Sequence, residues 1–90
     1  AGDSWGILYG YVKKRPAAEL TQGKLDRSLD ALEKMKWYSS SEPRNLYALY
    51  VLRGMTARAQ KFRAATRKAV TYNIDQYFDE ADKNPSMYVD

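Results

Sequence analysis

Arg44, Arg53, Arg58, Lys61, Arg63, Arg67 and Lys68 stand between positions 43 and 74 with no acid among them. Asp75, Asp79, Glu80, Asp82 and Asp90 then follow, with Lys83 as their only cation. Fixed positive charge at this density attracts and holds anions, whether carboxylates on a protein or phosphates on a nucleic acid. On a helical wheel the cations from Arg53 to Lys68 spread over most of the circumference outside the apolar arc, which predicts a broad positive surface. A plainer reading has the same face solvated and partly neutralised by acids of the preceding helix, among them Asp26, Asp30 and Glu33.

Two further groups of side chains bear on function. The chain has 12 aromatic residues, 8 of them Tyr among 90 residues, more than a small core needs. Tyr47, Tyr50, Tyr72, Tyr77 and Tyr88 cannot all lie on one core arc, so some are expected at the surface, where Tyr makes effective interface contacts. Tyr47 and Tyr50, with Trp5 near the N-terminus, are the candidates for apolar contact with a partner. Sealing the rims of a thin bundle is the competing role. Asp75, Asp79 and Asp82 share a helix face, but a calcium loop needs alternating ligands, a turn Gly and a closing Glu, so a solvated acidic face is the simpler reading.

The rest of the composition narrows the chemistry. Without Cys or His, the chain lacks thiol and imidazole nucleophiles, the usual zinc ligands and the side chain that titrates near neutral pH. It also lacks a Walker loop, a dinucleotide fingerprint and a Ser-centred elbow. No catalytic residues, metal ligands or cofactor sites are expected, and the protein reads as a non-enzyme. Its 15 Lys and Arg against 11 Asp and Glu give +4, and its length fits one domain over residues 1–90. A chain of this size buries little core and leans on regular packing or a partner. The start at Ala1, without Met, reads as a processed N-terminus.

The elements that must carry these residues are helical. Asp3 or Ser4 is a candidate cap for a short helix or arm over residues 1–15, with Trp5, Leu8 and Val12 on one face and Pro16 ending it. A second helix runs from Pro16 to Trp37 or Tyr38, with Leu25, Leu29 and Leu32 at helical spacing. Ser39 to Ser41 connect it to a long helical stretch over 44–83, about 60 Å if straight, which is long for so small a chain. Its apolar arc runs through Val51, Leu52, Met55, Ala59, Phe62, Thr66, Ala69 and Val70. A break is expected between Thr66 and Asn73, with Thr66 or Thr71 capping the helix that follows. Residues 84–90 read as a tail. The predicted fold is an all-α, up-and-down bundle of three to four helices.

The run Leu52-Arg53-Gly54-Met55 through Arg58, Arg63 and Arg67 to Val70, preceded by Lys34-Met35-Lys36-Trp37, resembles the PsbQ family of photosystem II extrinsic proteins, including its diatom form. The resemblance implies a small four-helix bundle in the chloroplast thylakoid lumen, peripheral to the membrane and without catalytic activity. It further implies docking on acidic lumenal surfaces of a large membrane complex, beside other extrinsic subunits, in support of the oxygen-evolving complex. In that reading Arg53, Arg58, Lys61, Arg63, Arg67 and Lys68 hold the protein to its host, and exposed tyrosines and the arm around Trp5 add apolar contact. The alternative function is a basic helical module that binds nucleic acid or the ribosome through the same cations.

Overall fold

The computed structural model describes residues 4–90, so Asp3, one of the two candidate caps, lies outside the described residues. The helices are α1 (Ser4–Lys13), α2 (Ala17–Thr21), α3 (Asp26–Lys34), α4 (Ser41–Leu52), α5 (Thr56–Ala69) and α6 (Asp75–Lys83), followed by a 3-10 turn at Pro85–Tyr88. The fold is all-α, as expected, and more finely divided than three or four helices.

Two glycines account for the extra divisions. Gly54 has φ +75°, a left-handed conformation that side chains with a Cβ disfavour. The Met55 N–H donates to the Tyr50 carbonyl at 2.8 Å and the Gly54 N–H to the Val51 carbonyl at 3.1 Å, the paired bonds of a Schellman helix stop. Gly23, with φ +78°, repeats the arrangement. There the Lys24 N–H reaches the Glu19 carbonyl at 2.9 Å and the Gly23 N–H reaches the Leu20 carbonyl at 3.2 Å. The stretch expected as one helix from Pro16 to Trp37 or Tyr38 is therefore α2 and α3, and the long stretch turns at Gly54 as well as after Ala69.

That second break falls inside the expected window, but neither threonine caps the next helix. The Thr66 hydroxyl is buried and donates to the Phe62 carbonyl at 2.8 Å, one turn back, and Ile74 occupies the cap position of α6. The start of α4 is held differently. Glu42 folds back so that its Oε1 accepts the N–H groups of Tyr38 at 2.8 Å and Ser39 at 3.2 Å, and Pro43 fills the first turn.

Helix α4 is the centre of the molecule. Leu46, Tyr47, Ala48, Leu49 and Tyr50 are consecutive and all buried, as befits a helix surrounded on every side. It packs against α1, α5, α6 and the 3-10 turn. One contiguous core joins these residues to Tyr9 and Val12 of α1, Leu29 and Leu32 of α3, Phe62 of α5, and Phe78 of α6. The segment expected as a tail is part of this core. Val89 is buried, and the Tyr88 carbonyl accepts the Tyr9 hydroxyl at 3.1 Å, so apolar residues at the end of the chain close the bundle.

Candidate functional site

The cations of α5 meet acids brought up by its neighbours. Arg58 lies between Asp30 at 2.6 Å, Glu33 at 2.8 Å and Asp26 at 3.7 Å, all on α3. Arg63 does the same with α6: Asp75 at 2.9 Å, Asp79 at 2.8 Å and Asp82 at 3.1 Å. Arg67 adds a bidentate pair to Asp75, with both bonds at 2.8 Å. Helical spacing explains the match, because Asp26, Asp30 and Glu33 share one face of α3, and Asp75, Asp79 and Asp82 share one face of α6.

Each clamp includes a phenol from α4. The Tyr50 hydroxyl donates to Glu33 Oε2 at 2.6 Å and accepts from Arg58 Nε at 3.2 Å. The Tyr47 hydroxyl donates to Asp82 Oδ1 at 2.7 Å and accepts from Arg63 Nη1 at 3.4 Å. The Arg63 guanidinium also lies over the Phe78 ring, 5.3 Å from its centroid. Burial, reinforced by the bond to Glu33, pushes the Tyr50 phenol above its ordinary range, and burial followed by the bond to Asp82 does the same to Tyr47. The bond from Arg67, opposed by desolvation and aided by the bond from Arg63, holds the Asp75 carboxyl down to about 2.

The six cations expected to form a broad positive surface are thus divided. Arg58, Arg63 and Arg67 are bound to carboxylates of the same chain. Arg53 turns inward, where its Nη2 donates to the Lys13 carbonyl at 3.3 Å. Only Lys61 and Lys68 project freely from α5 as exposed residues. The broad positive surface is corrected accordingly: the acids of α3 and α6, close in space though distant in sequence, neutralise it.

The aromatic candidates are corrected too. Tyr47 and Tyr50 are 1% and 0% exposed because α4 runs through the core. Trp5 is buried, stacks on Tyr9 with ring centroids 4.8 Å apart, and donates its indole N–H to the Leu32 carbonyl at 3.2 Å. None of the three is available to a partner.

What α1 does expose lies on its opposite side. Ile7 is 75% exposed and Tyr11 is 53% exposed, and their i, i+4 spacing sets them together along the outer face. Helix α1 carries no acid, and Lys13 and Lys14 stand at its C-terminal end. The Gly10 backbone faces open space there. Met87 is exposed on the flank, across a cleft that begins at Gly6 and Tyr9. Sequence reasoning passed over Ile7 and Tyr11, although both fall outside the arc of Trp5, Leu8 and Val12 and are too apolar for a solvated face. An adjacent pair of exposed large side chains beside cations is the composition of a contact surface.

Among the described residues, no group of three or more acids is placed to hold a metal ion, and no helix is long and apolar enough to cross a membrane. Comparison with known protein families, characterised proteins and solved structures finds no match to this chain.

Proposed function

We propose that the protein is a non-catalytic docking subunit that attaches to a larger assembly through the outer face of α1. The observation that carries this reading is the exposure of Ile7 and Tyr11 on a helix without acids, with the Arg15 guanidinium 5.6 Å from the centroid of the Tyr11 ring and Lys14 exposed just past the helix end. Its counterpart on α5 supports it, because the arginines there are engaged within the molecule and serve the fold. Apolar contact then supplies the affinity, and the lysines orient the encounter with an acidic surface.

The resemblance to photosystem II extrinsic proteins gives the reading its specific form. The host is a membrane complex with acidic lumenal surfaces, the compartment is the thylakoid lumen, and the role is support of the oxygen-evolving complex beside other extrinsic subunits. The nucleic-acid alternative draws on the cations of α5 and loses three of them to internal carboxylates.

The test is rebinding of the purified protein to salt-washed photosystem II membranes. The wild type is expected to rebind, and the double variant Ile7→Ser, Tyr11→Ser to rebind poorly while keeping the wild-type thermal midpoint. Equal rebinding of the double variant would overturn the assignment of the face. Absence of wild-type rebinding, with binding to arbitrary RNA instead, would favour the alternative.

A further inference from the structure

Beside the α1 face lies a cleft of about 480 Å³, bounded by α1, the first turn of α4 and the closing 3-10 turn. Lys13 and Arg44 stand on its walls. Lys13 Nζ lies 5.6 Å from the centroid of the Tyr9 ring, and the Arg44 guanidinium lies 4.0 Å from that of Tyr88. Arg15, Arg58, Arg63 and Arg67 make the ion pairs among the described residues. Lys13 and Arg44 lie against aromatic faces and make no ion pair among the described residues. Arg44 is further steadied by its Nε–H bond to Asn45 Oδ1 at 3.2 Å, so its guanidinium is held in place and uncommitted to an anion.

Glu42 lines the cleft from the first turn of α4. Its Oε1 holds the two backbone N–H groups before α4, whereas its Oε2 is buried without a partner. The cleft therefore offers two cations, Lys13 and Arg44, that make no ion pair among the described residues, on walls that also carry Glu42 and Asp90. Asp90 also lines it, so a bare polyanion meets two opposing carboxylates here.

We infer that this cleft receives an acidic side chain of the protein segment that docks on α1, an inference that rests on the docking reading above. The incoming carboxylate pairs with Arg44 and Lys13. The pairing is charge-assisted and partly desolvated by Tyr9, Tyr88 and Met87, conditions under which such hydrogen bonds are strongest. A single carboxylate between the two cations meets less opposition from Glu42 and Asp90 than a phosphate polymer does.

Zero-length carbodiimide cross-linking of the protein rebound to salt-washed photosystem II membranes tests this. The reagent condenses a lysine ammonium with a touching carboxylate into an amide with loss of water, so only direct pairs are captured. Cross-links from Lys13 to an Asp or Glu of another protein are expected, and Arg44→Gln and Lys13→Gln should each weaken rebinding roughly tenfold. Thermal midpoints measured alongside separate lost contact from lost fold. Rebinding with cross-links confined to Lys61 and Lys68, or undiminished in both folded variants, would overturn the cleft and leave the α1 face standing. No rebinding of the wild type would overturn both.

Discussion

Helix α5 carries five cations and commits three of them to acids of its own chain, whereas α1 carries no acid and leaves Ile7 and Tyr11 uncovered. The two helices use their outer residues for opposite ends. On α5 the charge is structural: Arg58 ties the helix to α3, and Arg63 with Arg67 ties it to α6. On α1 the buried face completes the core and the outer face is surplus to it. Charge that finds a partner inside the fold says little about what the protein binds, while large apolar side chains left at the surface say more.

The largest expected effect comes from removing the better enclosed clamp. Arg63 is 14% exposed and faces three carboxylates, so Arg63→Ala leaves Asp75, Asp79 and Asp82 without their shared cation and strips Tyr47 of a donor. Partly buried networks lie between the exposed and fully buried cases, which places the loss at about 2 kcal/mol. Urea unfolding measures it, and a loss below about 0.5 kcal/mol, the level of an ordinary surface substitution, would reduce the clamp to decoration. Arg58→Gln is expected to follow closely by the same measurement.

Glycine changes sharpen the contrast between the helices next. Gly54→Ala meets no steric obstacle yet must hold φ +75°, and should cost about 1 kcal/mol. Gly10→Ala lies in regular helix facing open space and should stabilise by about 0.5 to 1 kcal/mol. Thermal unfolding of the pair gives opposite signs if both assignments hold.

Titration probes the clamps from two directions. Asp75 is held at about 2, below its ordinary 3.8, so its contribution is complete above the ordinary value and fades as pH falls toward 2. Arg67→Gln should move the acid unfolding transition to higher pH. Tyr9 and Tyr50 are shifted the other way, chiefly by burial, from an ordinary value of 10.0. Their contribution is complete below pH 10 and is lost as pH rises through the folded values. Phenolate absorbance should therefore show a delayed phase coincident with unfolding, reduced in Tyr9→Phe and Tyr50→Phe. The smallest effect on stability belongs to Ile7→Ser with Tyr11→Ser, expected within about 0.5 kcal/mol of wild type because both side chains are exposed and Tyr11 meets only the Arg15 guanidinium, at the surface.

Much of this architecture is legible in the residue pattern. The all-helical class, the α1 core face of Trp5, Leu8 and Val12, and a break before α6 all follow from periodicity and from Pro16. The stops at Gly23 and Gly54 were open to the same reading, since a Gly just past an apolar periodic stretch marks a helix end. What the pattern does not contain is proximity. Nothing in the spacing of Arg58 and Glu33, or of Arg63 and Asp82, says that they touch, because a bundle sets that by which helices it makes neighbours. Tyr47 and Tyr50 were misplaced for the same reason. A helix at the edge of a bundle and one through its middle differ in what surrounds them, and α4 is enclosed only once the closing turn folds over it.

The central claim is that the arginines of α5 are internal ties. Nitrogen-resolved NMR of the arginine Nε–H groups tests it most directly, read as hydrogen exchange at neutral pH with and without high salt. Separate, slowly exchanging signals are expected for Arg58 and Arg63, persisting at about 1 M salt, where the screening length falls to about 3 Å. Fast, averaged exchange at both residues would contradict it and return those cations to the surface.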